Sequence, residues 1–164
     1  MKNTCILKTS FNNGFDEFHI IDYMPRYQSK KNSYYSPPEI TRIVKHIRGN
    51  PKIKIIYDPR LDYSIGRTKS YVKSDFIVSI SENENYETLY LYSNANLNSI
   101  INNDVIELES DLFFKISYYE KLIYPKFKEI LLEFNHTKEY WTNWIKKTPN
   151  FKKYNNEILR SALT

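Results

Sequence analysis

A few residues of this 164-residue chain have the types and spacing to do chemistry. Glu129 and Glu133 stand four apart in a helical pattern. That puts two carboxylates on one face, as general acid–base work requires. Lys126 and Lys128 flank them, so the pair reads as a solvated charged face. Trp141 and Trp144 offer flat apolar faces that suit one side of a pyranose, although aromatic stripes at helical spacing are usually core or interface. Arg26, Tyr34 and Tyr35, in and beside the tyrosine-rich segment 27–38, are the candidate sugar-contacting set, because aromatic rings and a guanidinium fork match sugar faces and hydroxyls. The plainer reading of that segment is a simple strand connection. The run 146–154 mixes cations with aromatics as single-strand nucleic-acid binders do, and reads as a solvated connector between helices.

Other chemistries are excluded or unsupported. His19, His46 and His136 are too far apart for a local metal motif, and His19 and His46 read as structural residues of strands. Cys5 is the only cysteine, which rules out an internal disulfide and a cysteine-based zinc site. The glycosylation-type triplet Asn135-His136-Thr137 falls within a predicted helix. Gly14, Gly49 and Gly66 are too dispersed to cradle a phosphate, and serine-hydrolase, metalloprotease and kinase signatures are absent. No cofactor is expected.

The elements that must position these residues fall into two halves. Residues 4–119 read as β, with short β-branched and aromatic runs between Gly, Pro, Asn and Ser clusters. Strands are predicted at 4–11, 17–23, 39–48, 52–58, 68–72, 76–81, 88–92, 105–108 and 111–118. Asn12-Asn13-Gly14 is a hairpin turn signal. Many short strands without intervening helices predict an antiparallel β-sandwich. After Pro125 the period changes. Phe127, Ile130, Leu131, Phe134, Trp141, Trp144 and Ile145 recur at three- and four-residue steps, which predicts an amphipathic helix ended by Thr148-Pro149-Asn150. A second helix is predicted from Phe151, with Phe151, Tyr154, Ile158 and Ala162 on one face. It carries no stop signal, and the expectation is of a cut chain.

Composition narrows the class further. Hydrophobic residues make up 41% and aromatics 16%, which is enough apolar material for a core. The formal charge is +5, but 18 of the 24 cations are lysines scattered among acids, unlike a nucleic-acid-binding face. No apolar run reaches the roughly 20 residues that a membrane helix needs. The N-terminus is too short and polar for a signal peptide, and with one cysteine the expected location is the cytoplasm.

Four segments carry a resemblance. Ile21-Asp22-Tyr23-Met24-Pro25-Arg26 resembles the D-[FY]-M-P-R segment of the bacterial and archaeal branch of glycoside hydrolase family 15, the glucoamylase- and trehalase-like enzymes. Gly49-Asn50-Pro51-Lys52-Ile53-Lys54, leading to Asp58-Pro59-Arg60-Leu61-Asp62-Tyr63, resembles that family's G-x-P strand and P-R-[FL]-[DN]-Y turn. Thr137-Lys138-Glu139-Tyr140-Trp141-Thr142-Asn143-Trp144 is similar to its linker helix. Leu159-Arg160-Ser161-Ala162-Leu163-Thr164 is similar to the opening of its first barrel helix. The four run in family order over almost the whole chain. Ser64-Ile65-Gly66 departs from the pattern, where members often place Gly directly after the D-Y pair.

The resemblance implies an N-terminal β-sandwich domain over 1–124, incomplete at its start. A linker helix over 125–148 and the start of a truncated (α/α)6 barrel over 149–164 would follow. Family members invert the configuration at α-glucosidic bonds with two barrel glutamates, set roughly 6.5–9.5 Å apart to leave room for a water. No Glu here matches those motifs, so no catalytic residue is assigned and the segment alone is expected to be inactive. Its partner would be its own barrel, through which an α-glucan or trehalose would be met. Trp141, Trp144, Phe151, Tyr154 and Ile158 are then the expected interdomain packing residues. The other reading, of a different class, is a free-standing carbohydrate-binding sandwich module.

Overall fold

The computed structural model describes residues 1–30, 33–149 and 151–163. Asn150 of the predicted helix stop and Thr164 of the fourth matching segment lie outside them. The structure is mainly β, as expected. β1 (Leu7–Asn12) and β2 (Glu17–Tyr23) form a hairpin. Its turn is where the sequence places it: Gly14 has φ +94°, and the Asn13 side chain accepts the Phe15 and Asp16 amides. β3 (Tyr27–Lys30) and β4 (Ser33–Tyr35) pair as a separate small hairpin. This is more than the plain connection expected of segment 27–38. β5 (Glu39–Arg48), β6 (Lys52–Lys54), β7 (Thr68–Val72), β8 (Ile77–Ser81) and β9 (Thr88–Ser93) follow. A short helix α1 (Leu97–Ile101) precedes β10 (Val105–Glu107) and β11 (Leu112–Tyr118). The chain then enters α2 (Phe127–Lys146) and α3 (Asn155–Ser161).

Seven strands make one antiparallel sheet in the order β1-β2-β5-β11-β9-β8-β7. Each of its faces has its own core. On one, Ile6, Ile21, Tyr23, Ile43, Tyr92 and Phe113 pack with Ile130 of α2. On the other, Val44, Ile77, Leu91, Leu112 and Phe114 pack with Ile100 and Leu108, beneath α1 and the two-stranded sheet β6-β10. The alternation of side chains along β5 and β11 serves both cores at once. Among the described residues no helix is long and apolar enough to cross a membrane.

Several boundaries differ from expectation. The strand predicted at 52–58 ends at Lys54, because its partner β10 is only three residues long. α1 was not foreseen; its start is fixed by Asn96, whose side chain accepts the amides of Asn98 and Ser99. The second helix begins at Asn155, not Phe151. The Asn155 side chain accepts the Phe151 amide, and Tyr154 enters the helix from the left-handed region at φ +56°.

Candidate functional site

The chemistry-bearing residues gather where α2 crosses the sheet. Strand register sets a row of donors there. Tyr23 pairs with Thr41 across β2–β5, and Thr41 pairs with Lys115 across β5–β11. All three point to the α2 side, where Glu133 receives them. Lys115 Nζ lies 2.9 and 2.8 Å from the two Glu133 carboxylate oxygens. The Tyr23 hydroxyl donates to Glu133 Oε1 at 3.1 Å and the Thr41 hydroxyl to the same oxygen at 3.3 Å. Lys115 also meets Glu39 Oε2 at 2.6 Å. The Tyr35 hydroxyl donates to that Glu39 oxygen from the outer side, at 3.5 Å.

This cluster is enclosed. Lys115 is 3% exposed and Glu39 1%. Glu39 Oε1 is buried and has no hydrogen-bond partner among the described residues. Burial pushes the Glu39 carboxyl above its ordinary range, against the pull of Lys115. Burial, reinforced by Glu133, pushes the Tyr23 phenol far above the usual phenol range; burial and then Glu39 do the same for Tyr35. Two carboxylates around one ammonium leave a formal excess of one negative charge in a dry site, and Glu133 adds to the rise at Glu39. No substrate can reach Glu39 or Lys115, so the arrangement fastens α2 to the sheet.

The solvated face expected for Glu129 and Glu133 is therefore corrected for Glu133, which turns inward to Lys115. Glu129 closes the helix start by accepting the Lys126 amide at 2.9 Å. Glu39 and Lys115 were missed altogether. A lysine inside the apolar run Leu112–Ile116 was the available signal, because a mid-strand cation between buried aromatics needs a buried anion.

Next to the cluster the surface opens into a groove between the β3–β4 hairpin and the outer part of α2. Tyr27, Tyr34, His136, Tyr140 and Trp144 supply its aromatic lining. Of the expected sugar-contacting set, only Tyr34 faces this groove, with its ring centroid 6.1 Å from that of Tyr140. Tyr35 is turned in toward Glu39. Arg26 is engaged by α2: its amide donates to Thr137 Oγ1, its Nε donates to the Tyr140 hydroxyl, and its guanidinium lies 5.5 Å from the Tyr140 ring and 5.8 Å from that of Trp141.

The packing candidates sit at the far end of α2. Trp141 and Ile158 are half-buried. Trp144, Phe151 and Tyr154 are exposed, and Trp144 Nε1 donates to the Ala162 carbonyl at 2.8 Å. The histidines are dispersed: His19 sits beside Glu17, His46 on the Gly49 carbonyl, and His136 against Tyr27. Among the described residues no three His, Cys, Asp or Glu side chains are grouped to hold a metal. The Cys5 thiol, pushed up by burial, donates to the Leu163 carbonyl.

The Asp58–Tyr63 segment makes an unusual turn. Asp62, Tyr63 and Ser64 are all in the left-handed region, at φ +47°, +51° and +63°. Buried Asp62 holds it, with its amide donating to Glu87 and its carboxylate accepting Asn83 and Asn85.

Compared with protein-family models, curated proteins and solved structures, the chain matches none.

Proposed function

We propose that this chain is the non-catalytic β-domain and linker helix of an inverting glycosidase acting on α-glucosidic bonds. The observation that carries the reading is the meeting of three family-like segments distant in sequence. The Met24-Pro25-Arg26 segment docks on the Thr137–Trp144 stretch through Arg26, Thr137, Tyr140 and Trp141. The Leu159–Leu163 stretch joins the same end of α2 through Trp144. Residues that serve one packing purpose are expected to converge in this way. Pro25, fully buried beneath them, fixes the chain direction between β2 and the β3–β4 hairpin.

In this reading the domain supports and orients a helical barrel that holds both catalytic carboxylates. α2, fastened by Lys115 and Glu133, is the rigid element between them. The exposed rings of Phe151 and Tyr154 face that barrel.

The test is the DNA downstream of the Thr164 codon. An in-frame helical barrel with two loop glutamates is expected. The joined protein should hydrolyse maltotriose with release of β-glucose first, or trehalose to one α- and one β-glucose, by proton NMR, while residues 1–164 alone should be inert. A stop codon at that point, with no barrel encoded nearby, overturns the reading.

A further inference from the structure

The groove beside α2 has the size and lining of a ligand site in its own right. Its volume is about 1050 Å³, at the upper end of small-molecule sites. Tyr140 and Trp144 lie one helical turn apart on its wall, with planes 23° apart and centroids 6.2 Å apart. Trp144 is 45% exposed, whereas Tyr140 is half-buried, with the Arg26 guanidinium 5.5 Å from its ring. Tyr34 stands at a right angle to Tyr140 from the hairpin side, at an interplanar angle of 82°. Gln28 and Asn143 add amide donors and acceptors on opposite walls.

The charges along the groove decide the ligand class. Glu129, Glu133 and Glu139 are nearly balanced by Lys146 and Lys147. Lys115 beneath the groove offsets Glu133. No excess field remains for a cation or an anion. What remains is flat aromatic surface with scattered amide and charged hydrogen-bonding groups. That lining matches a molecule with apolar ring faces and hydroxyl edges.

We propose that this groove binds a neutral oligosaccharide, with the exposed rings of Trp144 and Tyr34 stacking on its rings, Tyr140 holding those two in place, and Asn143 and Gln28 holding its hydroxyls. The site lies wholly within the described chain and does not require the glycosidase reading. The downstream DNA tests that reading, and a sugar titration tests this site, so either can fail alone.

The experiment is titration of the 164-residue chain with maltotriose, cellotriose and trehalose, followed by tryptophan fluorescence and amide chemical shifts. Saturable binding to at least one sugar is expected, with shifts centred on Tyr140–Trp144. Tyr34→Ala removes a ring that is 59% exposed; it should weaken binding about tenfold with no change in Tm. Tyr140→Leu should weaken binding by a similar factor. No saturable change with any of the three sugars up to about 20 mM overturns the proposal. Sugar binding that survives both substitutions unchanged overturns it as well. So does saturation by spermidine without sugar binding, which would make the groove a cation site.

Discussion

Lys115 and Glu133 meet at 2.8 Å although one belongs to the last strand of the sheet and the other to the helix above it. Their bond sits beside an apolar layer formed by Ile21, Ile43, Phe113 and Ile130, and it gathers Tyr23, Thr41 and Glu39 around itself. Its value is set by desolvation. Making the pair gains little over an apolar filling, while breaking it leaves charge in a dry site.

Lys115→Met should therefore be costly. Glu133 and Glu39 would both lose their cation, and the expected loss is about 3–5 kcal/mol. The same change combined with Glu39→Gln and Glu133→Leu should recover much of that loss. Urea denaturation of the single and triple variants checks this; a triple variant as unstable as the single one would contradict it.

Glu39 gives the fold a pH dependence of definite sign. Its folded-state pKa is raised above the unfolded value, chiefly by burial. The folded protein therefore holds this proton more tightly than the unfolded chain. Its contribution is fully present below the unfolded pKa and is lost as pH rises through the folded pKa. Glu39→Gln should flatten the stability curve over that window and bring its largest relative gain above it. Tm measured against pH for both proteins reads the difference, and parallel curves would refute the assignment.

Trp144→Ala should be mild. The sequence pattern predicts a loss of about 3–5 kcal/mol for a fully buried tryptophan, but the ring is 45% exposed. What is removed is partial packing and the bond to the Ala162 carbonyl, worth about 1 kcal/mol. Hydrogen exchange should show the loss confined to α3. A global drop in protection would mean that Trp144 anchors the sheet.

Tyr63→Gly should stabilise the protein or leave it unchanged. Tyr63 has φ +51° and is 94% exposed, so glycine relieves left-handed strain without removing packing. The expected gain is up to about 1 kcal/mol, less the added unfolded-state entropy of glycine. Tyr63→Val should cost at least that much, because a β-branched residue tolerates positive φ poorly. Thermal melts should place Tyr63→Gly at or above the parent protein and Tyr63→Val below it.

Much of the sheet was legible because its strands alternate and their turns are marked. Glu17–Tyr23, Glu39–Arg48 and Thr68–Val72 were placed to the residue, and the Asn13-Gly14 turn was written in its side chains. β3 and β4 were not legible: Tyr27–Lys30 and Ser33–Tyr35 are short, polar and stabilised by tyrosine contacts to α2 that no local pattern contains. The ion cluster was hidden for a related reason. Glu39, Lys115 and Glu133 lie on three separate elements, and only strand register aligns the first two under the third. Local reading put Glu133 with its sequence neighbours Lys126 and Lys128, when its partner was a strand lysine 18 residues away. The groove was half legible, since Tyr34 and Trp144 were in view, but Tyr140 and the wall it shares with them were not.

The position of β11 has a consequence for how the chain acquires its shape. β1, β2 and β5 neighbour one another in order, and so do β7, β8 and β9. Among the described residues no ladder joins these two groups except β11, which pairs with β5 on one side and β9 on the other. A chain emerging from the ribosome can thus form two three-stranded half-sheets, each closed by modest loops, that remain uncoupled until residue 118 has emerged. Insertion of β11 then joins the halves in one step. The same step delivers Lys115 to the place where Glu133 will dock, which makes late arrival of a single strand the event on which cooperative folding depends.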